Sequence, residues 1–284
     1  MSLVASRAPS FKKPSVLPGF APTLTGALIY LAVLVLLPLG ALIAKASSLG
    51  FSGVWAIASE PRAFAALRTS FGVALAAAVV DVVFGAIVAW VLTRYRFPGR
   101  RLLDAIVDLP LALPTAVAGV ALAALYAPNG WLGAPLARLG IKIAYTRWGI
   151  LVAMAFVGLP FVVRAAQPLI EDLEKELEEA SATLGASRWR TLRRVVLPPL
   201  VPGLLAGLAL AFARGVGEYG SVIFIAGNLA YVSEIAPLLV VIKLEEYDYA
   251  GATGVAAVML AVSFLMLLTI NLLHAWSRRR LGHV

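Results

Sequence analysis

Six long apolar runs dominate this sequence and restrict what the chain can fold into. The runs lie at approximately residues 24–44, 68–93, 105–126, 147–166, 199–222 and 252–274. A helix needs about 20 consecutive apolar residues to cross a bilayer, whereas the strands of a membrane β-barrel alternate apolar with polar positions. Because 61% of the residues are hydrophobic and only 14% are charged, we expect an all-α membrane protein with six transmembrane helices.

Most lysines and arginines flank the same ends of these runs. They collect in the N-terminal arm, in the connection "TRYRFPGRR", in the connection between the fourth and fifth runs, and after the last run. Basic loops tend to stay in the cytoplasm, so we expect a multi-pass protein with both termini cytoplasmic. The expected parts are an arm at 1–23, a six-span domain at 24–274 and a basic tail at 275–284. The net charge of +9 then reflects topology and contact with membrane lipid, and we expect no nucleic-acid partner.

The sequence lacks the residue types that many catalytic and metal sites need. It has no cysteine, and its two histidines, His274 and His283, lie at the basic C-terminal end. It also has no GxxxxGK[ST] phosphate-binding loop. We therefore expect no catalytic residue, no metal and no cofactor, and the pattern does not favour an intramembrane enzyme.

A polar segment at about residues 168–198 interrupts the apolar pattern between the fourth and fifth runs. Apolar residues recur through its first half at the spacing of one helix face, at Leu169, Leu173, Leu177, Ala180 and Leu184. Acids fill the positions between them as far as Glu179, where they suit the positive end of a helix dipole. The pattern predicts an amphipathic helix that ends at Gly185, a residue able to adopt the left-handed helix cap.

A second, short helix is predicted directly after that glycine. Ser187 is a favourable N-cap, Trp189 begins an apolar face, and Pro198 and Pro199 are expected to end the helix. The result would be a helix–turn–helix with an exposed apolar ridge. Two interpretations remain open: the ridge docks in a groove of a cytoplasmic partner, or it lies on lipid. The acids of the first helix count against an anionic lipid surface.

The stretch "EEASATLGASRWRTLRRVVLP" resembles the EAA loop of bacterial ABC importer permeases. The residues that match its pattern are Glu179, Ala180, Ser181, Gly185, Val195, Leu197 and Pro198. Ser181 and Val195 depart from the usual alanine and isoleucine but keep their size class. The resemblance implies a coupling helix that seats on an ATP-binding subunit. It assigns the ATPase contact to Leu173, Leu177, Glu179, Ala180, Ser181, Leu184, Gly185, Trp189, Leu197 and Pro198.

Charged residues at membrane depth form a second candidate site. Such charges are costly in a bilayer and usually face an interior or an aqueous path. Arg214 and Glu218 are four residues apart in "FARGVGEYGSVIFIAGN" and would share one helix face. The candidate translocation residues are Asp81, Arg214, Gly217, Glu218, Tyr219, Gly220 and Ser221. An equally open interpretation is that Arg214 and Glu218 form an ion pair that only packs helices. In that case Asp81 would pair with an arginine. Arg164 is interpreted as an anchor at the inner end of the fourth span.

Several stretches together resemble the T-type permease subunit of sulfate/thiosulfate importers. They are "GEYGSVIFIAGN", "PLLVVIKLEEYDYAGAT", "LTRYRFPGRRLLDAIVDLPLALPTAVAG" and "FVVRAAQPL". The resemblance implies a bacterial inner-membrane importer for sulfate, and for thiosulfate, driven by ATP that a partner hydrolyses. The implied partners are two ABC ATPase copies, a second homologous permease and a periplasmic or lipid-anchored sulfate-binding protein. The alternative function is a molybdate or tungstate importer, followed by a self-sufficient anion channel or secondary carrier. Segment 228–234 departs from the pattern of the sulfate permeases that the chain resembles.

Overall fold

The computed structural model describes residues 20–280, with the backbone alone at residue 274 and at residues 276–280. Within this part of the chain the secondary structure is helical. The helices are α1 Phe20–Leu31, α2 Leu37–Ser59, α3 Pro61–Arg94, α4 Arg100–Ala112, α5 Thr115–Tyr126, α6 Gly133–Arg138, α7 Arg147–Glu171, α8 Lys175–Thr183, α9 Arg188–Thr191, α10 Leu197–Val216, α11 Val222–Ile225, α12 Ala236–Glu245 and α13 Tyr249–Arg280. Residues 1–19 and 281–284, which hold most of the predicted arm and the end of the predicted tail, lie outside the described residues.

The chain divides after Ser48 into two compact units. The first contains α1, a π-helical turn at Ala32–Leu36 and the start of α2. Just past the boundary α2 is kinked at Gly50, whose φ of 68° is left-handed. Glycine tolerates this conformation because it has no Cβ. The remaining helices belong to the second unit.

Among residues 20–280, five continuous helical stretches are long and apolar enough to cross a membrane. They are Phe20–Ser59, Pro61–Arg94, Arg147–Glu171, Arg188–Val216 and Tyr249–Leu273. A sixth span exists only if α4 and α5 count as one, and these two helices are bent by 112°. The predicted span at 105–126 therefore corresponds to two helices with a sharp bend between them and not to one continuous helix. Leu113 is extended ahead of Pro114, as the ring of a following proline favours.

The fifth predicted run, 199–222, also differs from the structure. The helix starts earlier, at Arg188, and ends at Val216. Beyond Val216 the chain turns, and the carboxylate of Glu218 accepts a hydrogen bond from the backbone N–H of Ser221 at 2.8 Å. This local bond favours a turn where hydropathy alone continued the helix.

The core of the second unit lies between α3, α7 and α10, where small residues let the helices approach closely. A Cβ added to Gly85 of α3 would lie 2.8 Å from Val162, and one added to Gly207 of α10 would lie 2.9 Å from the Cα of the same valine. Val162 itself is fully buried. Close approach of this kind is typical of helices packed in a membrane.

Candidate functional site

The polar segment between α7 and α10 folds into two short helices joined by a tight turn. We call α8, the turn at residues 184–187 and α9 the elbow. The turn has both bonds of a Schellman cap: the N–H of Ala186 donates to the carbonyl of Ser181 at 3.0 Å, and that of Gly185 donates to Ala182 at 2.9 Å. Gly185 has a φ of 78°. The predicted glycine cap is confirmed.

The second half of the elbow is fixed to the first by side chains. The hydroxyl of Ser187 accepts a hydrogen bond from the backbone N–H of Arg190 at 3.4 Å, which confirms the predicted N-cap. The hydroxyls of Ser181 and Thr191 lie 2.7 Å apart. This bond joins α8 to α9, so the small residue at position 181 has a structural reason to be a serine.

The prolines after the elbow do not end a helix, contrary to expectation. Instead α9 continues through a π-helical turn at Leu192–Val196 into α10. The N–H of Leu197 bonds to the carbonyl of Leu192, five residues back. Pro198 and Pro199 follow at the first positions of α10. Proline lacks the backbone N–H and crowds the preceding turn, but it is tolerated at these positions.

The exposed apolar ridge exists, but it is shorter than the sequence indicated. Leu184 is 87% exposed, Trp189 is 67% exposed and Leu177 is 48% exposed. Leu173 is only 7% exposed, because α7 ends at Glu171 and α8 begins at Lys175. The prediction of one continuous helix face from Leu169 is therefore wrong, and Leu173 is a core residue that packs with Ile170.

One arginine at the end of α3 contacts the elbow, and sequence reasoning treated it only as a topology signal. Nη2 of Arg94 donates to the carbonyl of Leu173 at 2.9 Å and lies 3.0 Å from Oε1 of Glu178. Its guanidinium carbon is 5.2 Å from the centroid of the Trp90 ring. Arg94 thereby touches both the break before α8 and α8 itself.

A groove of about 770 Å³ lies beside the elbow, between the end of α7 and the start of α10. Its walls are mainly apolar and include Leu169, Leu177, Pro202 and Ala206. The groove places open space next to the segment that the sequence assigns to partner contact.

The second candidate site forms a compact ion pair. Nη1 of Arg214 lies 2.6 Å from Oε2 of Glu218. The other carboxylate oxygen of Glu218 accepts hydrogen bonds from the backbone N–H and the hydroxyl of Ser221, at 2.8 Å and 2.9 Å. Glu218 is 1% exposed, whereas the Arg214 side chain remains 33% exposed.

The glycines and small residues around this pair pack against α5. A Cβ at Gly220 would lie 2.1 Å from the hydroxyl of Thr115, and a Cβ at Gly119 would lie 2.4 Å from the carbonyl oxygen of Ser221. Ser221 is buried, Tyr219 is half-buried and Gly217 is exposed. These predicted pathway residues thus divide into a packed set and an accessible set. The packed set is Glu218, Ser221 and the partly exposed Gly220, and the accessible set is Arg214, Gly217 and, in part, Tyr219.

Asp81 does not join this cluster. It is 2% exposed in α3, and its Oδ2 has no hydrogen-bond partner among the described residues. A Cβ at Gly158 of α7 would lie 2.2 Å from that oxygen. The expectation that Asp81 pairs with an arginine is wrong, because α7 places a glycine opposite it.

Arg164 has a larger set of partners than an interfacial anchor needs. It lies 2.7 Å from Oδ1 of Asp104 and 2.6 Å from Oε1 of Gln167, and it also pairs with Asp108. The two aspartates are four residues apart in α4. That spacing was the visible signal that α4 presents an acidic face to α7.

A third set of contacts holds the segment at residues 228–234. Arg62 forms a two-pronged ion pair with Glu234, at 3.0 Å and 2.7 Å. Arg147 donates to the carbonyls of Tyr231 and Val232. Tyr231 has a left-handed φ of 64°. The segment is therefore held to α3 and α7 while Tyr231 and Val232 stay exposed.

Comparison with known proteins adds sequence relatives that cover almost the whole chain. The "Sulfate transport system permease protein CysT" of Escherichia coli (strain K12) is 49% identical over 269 residues, 94% of this chain and 97% of that protein. The protein of the same name from Synechocystis sp. is 52% identical over 252 residues, 89% of this chain and 88% of that protein. A "Probable sulfate transport system permease protein cysT" from Nephroselmis olivacea is 51% identical over 255 residues, 90% of each chain.

Solved structures share the fold at low sequence identity. A chain of a bacterial alginate ABC transporter in complex with an alginate-bound periplasmic protein matches with a TM-score of 0.73 at 17% identity, covering 93% of this chain and 95% of that one. The family described as "Binding-protein-dependent transport system inner membrane component" matches residues 81–283. This chain therefore belongs to the family of inner-membrane components of binding-protein-dependent transport systems.

Proposed function

We propose that this chain is the transmembrane permease subunit of an ATP-driven sulfate importer. The observation that carries the proposal is about 50% identity, over most of the chain, to permeases named for sulfate transport. Those relatives cover both candidate sites, and all three described above are named for sulfate. The molybdate alternative is not favoured, and thiosulfate is an additional substrate to be tested.

The elbow is the proposed contact with an ABC ATPase. Its exposed residues Leu177, Leu184 and Trp189 form an apolar ridge of the kind that docks in a partner's groove. The Schellman cap and the Ser181–Thr191 bond keep the two helices in a fixed arrangement. A fixed elbow can transmit a displacement, whereas a loose loop would absorb it.

The bent pair α4–α5 is the proposed third of six spans. Counted in this way, α1–α2, α3, α4–α5, α7, α10 and α13 place both termini on the cytoplasmic side. The basic connection before α4 and the elbow then share that side, in agreement with the bias of positive charge. The proposed domain limits remain an N-terminal arm at 1–23, the permease domain at 24–274 and a basic tail at 275–284.

Four further chains complete the proposed transporter: two ATPase copies, a second homologous permease and a sulfate-binding protein outside the membrane. We assign Arg214, Gly217 and Tyr219 to the face toward the translocation path because they keep accessible surface. Glu218, Gly220 and Ser221 hold that face in position from behind. Asp81 is assigned to the packing of α3 on α7.

The experiment that tests this function is uptake of labelled sulfate into proteoliposomes. We expect uptake by the complete complex with its binding protein and internal ATP, and none by this chain alone. Full uptake by the chain alone would instead establish a self-sufficient carrier. Competition by thiosulfate and by molybdate, each at the same excess, identifies which anions share the path.

A further inference from the structure

We propose that Arg94 is a positioning residue that ties the elbow to the third helix, so that α3 moves together with α8. This inference rests on the proposed function, because it assumes that the elbow receives force from an ATPase. Nothing in the general coupling role of the elbow requires α3, since the chain connects the elbow only to α7 and α10.

The covalent connection from α7 to α8 is a poor transmitter of force. The helix breaks at residues 172–174, and Glu174 is extended, with φ −64° and ψ 128°. A short non-helical segment absorbs changes in φ and ψ, as hinges do. Without another contact, α8 would be able to swing at this break while α7 stayed in place.

Arg94 spans that break with a single guanidinium. Its Nη2 holds the carbonyl of Leu173 inside the break at 2.9 Å and lies 3.0 Å from the carboxylate of Glu178 on α8. The Arg94 side chain is 11% exposed and that of Glu178 is 31% exposed, so the pair is only partly screened by water. No residue of α8 is buried. The Ser181–Thr191 bond ties α8 to α9, and the Arg94 contact ties α8 to α3.

The end of α3 that carries Arg94 is itself firmly packed. Leu92, two residues earlier, is 1% exposed and packs in the same cluster as Leu173 and Val196. The guanidinium also lies over the Trp90 ring at 5.2 Å, a cation–π arrangement. A displacement of α8 is therefore passed to the cytoplasmic end of α3, the helix that packs most extensively against α7.

The test compares Arg94→Ala with Arg96→Ala in the complete complex. Arg96 is exposed and forms no ion pair among the described residues. Arg96→Ala is therefore a matched control that also removes one positive charge. We expect Arg94→Ala to lower the sulfate transported per ATP hydrolysed by about fivefold or more, at the lower end of ordinary coupling free energies. ATPase attachment and the rate of ATP hydrolysis should remain, and Arg94→Lys should restore part of the ratio because it keeps one charge beside Glu178.

A second measurement does not depend on transport. In the purified complex, amide hydrogen exchange at residues 173–183 should rise by about tenfold in Arg94→Ala, because the local opening of α8 loses its restraint. Arg96→Ala should leave it unchanged. Unchanged exchange in Arg94→Ala would overturn the proposal even if the complex transports sulfate, whereas increased exchange in a complex that transports no sulfate would contradict the proposed function instead. An unchanged ratio of sulfate transported to ATP hydrolysed in Arg94→Ala would also overturn the proposal for Arg94.

Discussion

The elbow and the Arg214–Ser221 segment use the same residue types for opposite purposes. In the elbow, Gly185 has a left-handed φ and nothing within 4 Å of an added Cβ, and the apolar side chains beside it are exposed. In the second segment, Gly220 allows close packing on Thr115, and Glu218 is buried with both carboxylate oxygens bonded to partners. One region leaves its apolar side chains exposed, and the other satisfies its polar groups within the chain. The comparison teaches that a motif of glycines and charges does not by itself distinguish a docking surface from a packed support.

Substitution of glycine should separate the two regions most strongly. We expect Gly119→Val to prevent assembly, because its Cβ alone would lie 2.4 Å and 2.7 Å from backbone atoms of Ser221, and overpacking costs about 1–3 kcal/mol or more. Gly185→Ala should leave the complex folded, at a local cost of about 1–2 kcal/mol for the left-handed conformation. Yield and thermal unfolding in detergent measure both. Equal stability of the two variants would contradict the comparison.

Removal of one carboxylate from each region should give the next largest difference. Glu218→Ala leaves Arg214 without its partner and the Ser221 N–H unsatisfied, so we expect a loss of about 3 kcal/mol of stability, the low end for a broken buried pair since Arg214 is 33% exposed. Glu179→Ala, at an exposed site, should change stability by less than about 0.5 kcal/mol.

Glu218→Gln sharpens the same comparison because it keeps an acceptor for Ser221. If the complex assembles and uptake falls, Glu218 acts in transport as well as in packing. If the complex does not form, the buried carboxylate is purely structural. Uptake per assembled complex, normalised by immunoblot, distinguishes the two results.

An acid on the exposed ridge should have a smaller effect on the chain and a specific effect on its partner. We expect Leu184→Asp, and likewise Leu177→Asp, to leave membrane insertion and thermal stability intact. ATPase attachment should weaken by about 2 kcal/mol, the threshold of an interface hot spot. Leu184→Met is the matched control and should bind normally. Normal ATPase binding by both aspartate variants would remove the ridge from the interface.

The N-cap of α9 should contribute least. The Ser187 hydroxyl accepts a long bond of 3.4 Å, so Ser187→Ala should cost about 0.5 kcal/mol, the low end for such caps. Sulfate uptake should then stay close to that of the unmodified complex. A large loss of uptake would mean that Ser187 contacts the partner directly.

Some parts of the molecule that depend on local chemistry were predictable from the sequence, although the turn at Glu218 and the continuous helix at Pro198 were not. Gly185 and Ser187 form caps from contacts within a few residues, and the apolar runs are a direct consequence of the bilayer. Contacts between distant residues were not predictable. Nothing near Arg94 in the sequence indicates Leu173 or Glu178, and the burial of Leu173 depends on where α7 ends. The bend at Pro114 was signalled by proline, but prolines inside α7 and α10 leave those helices continuous.

Crosslinking from the ridge identifies most directly which molecule contacts it in the assembled complex. The chain has no cysteine, so Leu184→Cys can carry a single photoreactive thiol label in the assembled, ATP-supplied complex. Trp131→Cys, at an 89% exposed position in the connection between α5 and α6, is the control. We expect a covalent adduct between the label at position 184 and the ATPase subunit, and none from position 131. Adducts from position 184 with lipid alone would contradict docking of the ridge on the ATPase.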